Sequence, residues 1–104
     1  DIRTAAMVKY SENAFLAMRV TFFNEIYKMH KAQGCESTYE EFAEMVGLDE
    51  RIGHSHSKVP GPDGKFGWDS HCLNKDLYEL EKFGGSPLIK FIRELNTEHR
   101  SIES

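Results

Sequence analysis

Along the first third of the chain, apolar residues recur at helical spacing in two stripes. One runs Val8, Phe15, Met18, Phe22, Ile26 and Met29, and the other runs Leu16, Val20, Phe23 and Tyr27. Neither Gly nor Pro occurs between residues 2 and 32, and the run stops at Gln33-Gly34 with His30 and Lys31 just before it. A glycine stop, with basic residues where the carbonyl end is partially negative, predicts one helix over this whole stretch. At about 1.5 Å per residue it is roughly 45 Å long, well above the average helix. Two stripes are wider than an ordinary amphipathic face. They fit a central helix buried by its own domain. They also fit a helix that packs its domain on one side and a partner subunit on the other, and the shortness of the chain favours the partner.

Three shorter helices follow. The second begins at Ser37 or Thr38, since Ser37 with Glu40 and Thr38 with Glu41 both fit the capping box. Phe42, Met45 and Val46 are expected to face inward, and Gly47 ends the helix. The stretch from Leu48 to Asp69 holds four glycines, two prolines and two histidines, and a loop of that length in a compact domain is usually functional. A third helix is expected from about Asp69–Ser70 to Phe83, burying Leu73, Leu77 and Leu80 and stopping at Gly84-Gly85. The fourth starts with Ser86 as N-cap and Pro87 at the first helical position. It is expected to bury Leu88, Ile89, Phe91, Ile92 and Leu95, with a polar tail that frays after Asn96. No run alternates at period two. The expected fold class is therefore all-α, one helical domain over residues 1–104 with a long Gly/Pro-rich loop before the third helix.

Composition narrows the function. The chain has 104 residues, 13 basic against 17 acidic for a net charge of −4, and is 39% hydrophobic. A chain this short has a modest core, which association would reinforce. The acidic balance argues against a nucleic-acid partner, and no apolar run approaches the ~20 residues of a membrane span. Two cysteines, Cys35 and Cys72, are too few for a disulfide scaffold and suggest a reducing, cytoplasmic setting. No P-loop or strand-borne glycine fingerprint is present, so no cofactor site is expected in the chain itself. His54 and His56, with His71 and Cys72, lack the close ligand pairs of a zinc site, and no metal is expected.

Cys72 is the most informative position. It falls in the first turn of the third helix, where the helix N-terminus and Lys75, three residues on, both favour a thiolate. Asp76, one turn later, shares its face and suits the holding of a water or a proton. Lys9 and Asn13, four apart on the first helix beside an apolar stripe, suit an oxyanion. Spacing alone equally allows a small buried cysteine with solvated Lys75 and Asp76, and an exposed Lys9–Asn13 pair. Arg51 suits a substrate phosphate or a plain surface cation.

Taken in order, the motifs are Lys9-x-x-x-Asn13-Ala14-Phe15-Leu16, Phe23-Asn24-Glu25-Ile26, Gly47-Leu48-Asp49-x-Arg51-Ile52-Gly53 and Cys72-x-x-Lys75-Asp76. This series resembles the central helical domain of the UDP-glucose/GDP-mannose 6-dehydrogenase family, over about residues 3–85. The resemblance implies an NAD-dependent, two-step oxidation of a nucleotide sugar from C6 alcohol to carboxylate. Cys72 would capture the aldehyde as a thiohemiacetal that becomes a thioester. Lys9 would stabilise the oxyanion, Asn13 would help bind water and substrate, and Asp76 would orient the water. Lys75 would lie near the cofactor and the reacting centre. Arg51 would reach the substrate of the neighbouring subunit, and Gly67 and Trp68 would belong to the substrate loop. The long first helix would be the homodimer helix.

The family loop before the cysteine usually reads G-F-G-G-x-C-F-P-K-D, whereas this chain has Gly67-Trp68-Asp69-Ser70-His71-Cys72-Leu73-Asn74-Lys75-Asp76. Asp69 and Ser70 replace two glycines. Their side chains would narrow the substrate pocket, and Asp69 would set a negative charge near the thiol and oppose its ionisation. The family's cofactor domain and C-terminal nucleotide-binding domain are not among these residues. The expected role is thus half of an active site plus a dimer interface, inactive and without bound NAD in isolation. The alternative is a helical homodimerisation module that keeps the fold without the chemistry.

Overall fold

The computed structural model describes residues 1–69 and 71–102, and excludes the side chains of His71 and Cys72. Among the described residues the fold has four helices: α1 (Ile2–Gln33), α2 (Tyr39–Gly47), α3 (His71–Gly84) and α4 (Pro87–Arg100). No strand occurs among the described residues, and the all-α expectation holds.

Local chemistry sets the helix ends. Asp1 accepts from the Thr4 N–H at 2.8 Å, and Gly34 closes α1 in the left-handed conformation at φ 65°, which costs a residue without Cβ nothing. Of the two candidate caps for α2, Thr38 is used. Its hydroxyl accepts from the Glu41 N–H at 3.1 Å, and the Glu41 carboxylate accepts from the Thr38 N–H at 2.9 Å. These bonds hold the Glu41 carboxyl below the usual carboxylate range. Ser86 caps α4 ahead of Pro87.

All the other helices pack on α1, within an envelope of 49 × 32 × 24 Å. One core joins Ala14 and Ala17 of α1 to Trp68, Leu77, Ile89 and Ile92. A second joins Phe23 to Tyr39, Ala43 and Val59. Small residues at Ala14 and Ala17 let α3 and α4 approach closely, while Leu77, with no exposed surface, is worth about 1.5–3 kcal/mol by burial.

The two stripes of α1 have different fates. Phe23 is buried and Leu16, Val20 and Tyr27 are half-buried against the domain. In the other stripe Met18 and Ile26 are half-buried, whereas Val8, Phe15, Phe22 and Met29, seven residues apart, stay between 51% and 58% exposed.

Three inward assignments are corrected. Met45, Leu88 and Phe91 are 59%, 57% and 57% exposed. On α2 the buried arc is Tyr39, Ala43 and Gly47, and on α4 it is Ile89, Ile92, Asn96 and His99. The arc of α4 takes in two polar residues beside Ile89 and Ile92, which are buried as expected, and leaves Leu88 and Phe91 outside, so hydrophobicity alone drew the buried arc in the wrong place at its edges. Nor does α4 fray after Asn96. It continues to Arg100, because His99 is 1% exposed with its Nε2 2.5 Å from Glu25 Oε2 on α1. An ionised carboxylate only accepts, so Nε2 carries the proton.

The long loop is tied down by its own carbonyls. Arg19 donates to Ser55 O from Nε at 3.0 Å and from Nη2 at 2.7 Å, and the Tyr39 hydroxyl donates to Ser57 O at 2.6 Å. Burial pushes the Tyr39 phenol up to about 12, with Glu40 adding to the rise, so it remains a neutral donor.

The Glu25–His99 contact gives stability a pH dependence. The hydrogen bond from His99 holds the Glu25 carboxyl below its usual range, with partial burial opposing and Lys28, 3.0 Å away, reinforcing. A carboxyl depressed in the native state stabilises above its unfolded pKa, and the contribution is lost as pH falls through the native value. Glu25→Gln is expected to lower stability by about 1 kcal/mol at pH 7, with the gap closing below about pH 4. Urea unfolding of both proteins at pH 7 and pH 3 checks this, and a gap that does not shrink at pH 3 refutes it.

Candidate active site

Residues from the two ends of the motif series meet between α1 and α3. Asn13 sits where α1 turns toward α3, flanked by buried Ala14 and Ala17. Its Nδ2 donates to Asp76 Oδ2 at 2.5 Å. Asp76 is 1% exposed and neighbours Leu77 on the buried side of α3. A buried carboxylate needs donors to offset lost hydration, and the Asn13 amide supplies one without adding charge. Lys9, one turn before Asn13, and Lys75, beside Asp76, are both solvent-exposed. Cys72 lies in the first turn of α3, and its side chain is outside the described set, as is Ser70 altogether.

Arg51 stands apart from this group. It forms a local pair with Asp49, donating from Nη2 at 2.8 Å and from Nε at 3.1 Å, with its side chain 88% exposed. The pairing holds the Asp49 carboxyl below its usual range and raises the guanidinium above its own. Arg51 is thus pre-formed as an outward-facing fork. His54 pairs with Glu44, Nδ1 to Oε2 at 3.7 Å, and no three His, Cys, Asp or Glu side chains gather into a metal-binding group among the described residues.

Gly67 and Trp68 are held by side chains of α1 and α4 through three N–H groups and one carbonyl. The Gly67 N–H donates to Asn24 Oδ1 at 2.9 Å. The Trp68 N–H donates to Asn96 Oδ1 at 2.7 Å, and Asn96 Nδ2 donates back to Trp68 O at 2.9 Å. The indole Nε1 donates to Thr21 Oγ1 at 3.1 Å while the ring fills the first core. Arg100 draws in the flanks, donating to Asp63 Oδ2 at 2.9 Å and lying 3.6 Å from Asp69 Oδ2. Asp69, expected to present a negative charge toward the thiol, is therefore partly offset by a cation. It also accepts from Asn74 Nδ2 at 3.3 Å.

Beside this segment a cleft of about 450 Å³ is lined by Val20, Trp68 and Leu73, with His56, Lys58 and Asp69 among its polar groups. Trp68 and Leu73 give it an apolar floor next to the first turn of α3. It suits a ligand with one flat, weakly polar face and a charged end, in keeping with ordinary ligand clefts.

Thr21, Asn24, Asn96 and His99 had no role from the sequence. All four are buried. The available signal was their register: Thr21 and Asn24 are three apart on the inner arc of α1, and Asn96 and His99 continue the 3–4 spacing of Ile89 and Ile92. A polar residue on a buried arc has a partner to satisfy, and here the partners are the loop backbone for Asn24 and Asn96, the Trp68 indole for Thr21 and the Glu25 carboxylate for His99.

Comparison with known proteins gives a consistent picture. A family model described as the UDP-glucose/GDP-mannose dehydrogenase family, central domain, matches residues 3–98. The chain is 32% identical to UDP-glucose 6-dehydrogenase YwqF of Bacillus subtilis (strain 168), covering 98% of this chain and 23% of that protein. It is 33% identical to UDP-glucose 6-dehydrogenase TuaD of the same organism, covering 96% and 21%. To the UDP-glucose 6-dehydrogenase of Rhizobium meliloti (strain 1021) it is 39% identical, covering 77% and 17%. The chain thus spans about a fifth of the length of these relatives. No solved structure gives a significant match.

The conformation at Gly67 makes a sharp prediction. Its φ is 77°, and a Cβ there would sit 2.5 Å from Asn96 Oδ1 and 3.1 Å from His99 Cβ. Gly67→Ala is expected to cost roughly 2–4 kcal/mol through backbone strain and steric conflict. It should also red-shift the emission of Trp68, the sole tryptophan. Denaturant melts followed by fluorescence and by circular dichroism check this, and wild-type stability in the variant refutes it.

Proposed function

The chain belongs to the UDP-glucose/GDP-mannose dehydrogenase family, matching its central domain, and on that footing we propose that it supplies the covalent-catalysis half of a nucleotide-sugar 6-dehydrogenase and the helix on which the enzyme dimerises. The observation that carries the reading is the bond from Asn13 to buried Asp76, 63 residues away, on the same two helices as Lys9, Cys72 and Lys75.

In this reading the Cys72 thiolate adds to the C6 aldehyde of the sugar, and the carbonyl oxygen becomes the oxyanion of a thiohemiacetal. The Lys9 ammonium and the Asn13 amide stabilise that oxyanion. When bound by the full-length enzyme, NAD would supply the hydride acceptor for each of the two oxidations, alcohol to aldehyde and thiohemiacetal to thioester. A dinucleotide needs a strand, a glycine-rich turn and a helix N-terminus. With no strand among the described residues, NAD does not fit this segment alone and belongs to the rest of the enzyme. Asp76, aimed by Asn13, takes a proton from water as it attacks the thioester carbonyl. The C–S bond breaks, releasing the uronate and regenerating the thiolate. Lys75, exposed beside Asp76, would lie near the cofactor brought by the rest of the enzyme. Gly67 and Trp68 border the sugar, and Arg51 extends toward the substrate of the neighbouring subunit. The proposed setting is the cytoplasm. Among the described residues no helix is long and apolar enough to cross a membrane.

Two experiments test the proposal. At pH 7 Cys72 is expected to react with iodoacetamide about tenfold faster than exposed Cys35, read by peptide mass spectrometry. Equal rates would remove the activated thiol and leave a dimerisation module without chemistry. The exposed residues Val8, Phe15, Phe22 and Met29 support the homodimer. Sedimentation at micromolar concentration is expected to show a dimer that Phe15→Asp with Phe22→Asp converts to monomer, whereas a monomeric wild type contradicts it.

A further inference from the structure

Three polar side chains, Thr21 and Asn24 from α1 and Asn96 from α4, hold one dipeptide by both backbone and ring. Asn24 takes the Gly67 N–H, Asn96 takes the Trp68 N–H and returns a donor to the Trp68 carbonyl, and Thr21 takes the indole N–H. We propose that these three are positioning residues for Cys72, fixing Trp68 against Leu77 so that α3, which carries Cys72 and Asp76, stands in one place relative to Asn13 on α1. The inference rests on the reading of Cys72 as nucleophile.

The physical case begins with what such a clamp is not needed for. Gly67 and Trp68 lie in no helix or strand, and an apolar wall would bury the Trp68 ring as well. Replacing both members of a buried hydrogen-bonded pair by apolar groups is often nearly neutral for stability. What the clamp adds is direction. Each amide accepts or donates only along a narrow cone, so bonds from two different helices define where the peptide sits and how it is turned. Gly67 can take that position only without a Cβ, since Asn96 Oδ1 occupies the space. Trp68 carries the constraint into α3, because its ring packs in the same cluster as Leu77. Arg100 restrains the same segment from outside, through Asp63 and Asp69. A covalent nucleophile must be held to within about half an ångström of its productive position, and a loop four residues before it is the place to impose that.

The test uses the 104-residue chain, with Cys35 as internal reference. In Asn96→Ala, Cys72 alkylation relative to Cys35 is expected to fall at least fivefold, with its pH midpoint moving toward that of Cys35. Hydrogen exchange at the Trp68 amide should rise about tenfold or more. Thr21→Val, which removes the indole partner together with the local bond from the Thr21 hydroxyl to Ala17 O and leaves both backbone clamps in place, should move all three in the same direction by a smaller factor. Ala43→Gly, in the separate core around Tyr39 and Val59, serves as a destabilised control and should leave the alkylation ratio and the midpoint unchanged. If the wild-type Cys72 is no faster than Cys35, the nucleophile reading fails and the inference with it. If wild-type Cys72 is fast and Asn96→Ala and Thr21→Val keep its ratio and midpoint, or Ala43→Gly shifts them equally, the clamp is merely structural and the positioning role is overturned.

Discussion

A helix of 32 residues in a chain of 104 constrains everything packed around it. Its surface is larger than three short helices can cover, so one side of α1 becomes the wall of both cores while another remains apolar and open. The inner side also has to serve two different neighbours along its length. Small residues at Ala14 and Ala17 admit α3 and α4, and the large ring of Phe23 meets α2 and the loop. The open side, with Val8, Phe15, Phe22 and Met29, follows from the same arithmetic.

Within that frame, buried polar groups decide the detail. Thr21, Asn24, Asn96 and His99 all lie inside, and each is answered by a group distant in sequence. These pairings select one arrangement of a loop that contains little regular structure, because an unpaired buried donor or acceptor is costly. The hydrophobic cores alone would tolerate many loop paths. His99 shows the same logic at the end of α4, where a polar terminal turn that would otherwise fray is retained by Glu25.

The site has the same organisation. In the candidate site half-buried Asn13 bonds buried Asp76 across two helices, whereas Lys9, Lys75 and Arg51 are exposed. These exposed cations stand on a segment spanning about a fifth of its relatives' length. The departure at Asp69 fits this picture. A carboxylate in place of a glycine is drawn to Arg100, which moderates its field near α3.

The sequence by itself determined the helices and their ends. Gly34, Thr38 with Glu41, and Ser86 with Pro87 act over three or four residues, so their effect is complete within the segment that carries them. It also determined the series of motifs that marks the family. The tertiary structure alone decided which stripe of α1 faces inward, that Met45, Leu88 and Phe91 face out, and that Asn96 and His99 face in. It chose Thr38 over Ser37 as the cap and joined Asn13 to Asp76 across 63 residues. The face of a helix that becomes buried depends on which other surface arrives there, and a polar residue is welcome inside only if that surface brings its partner. Neither condition is written in local spacing.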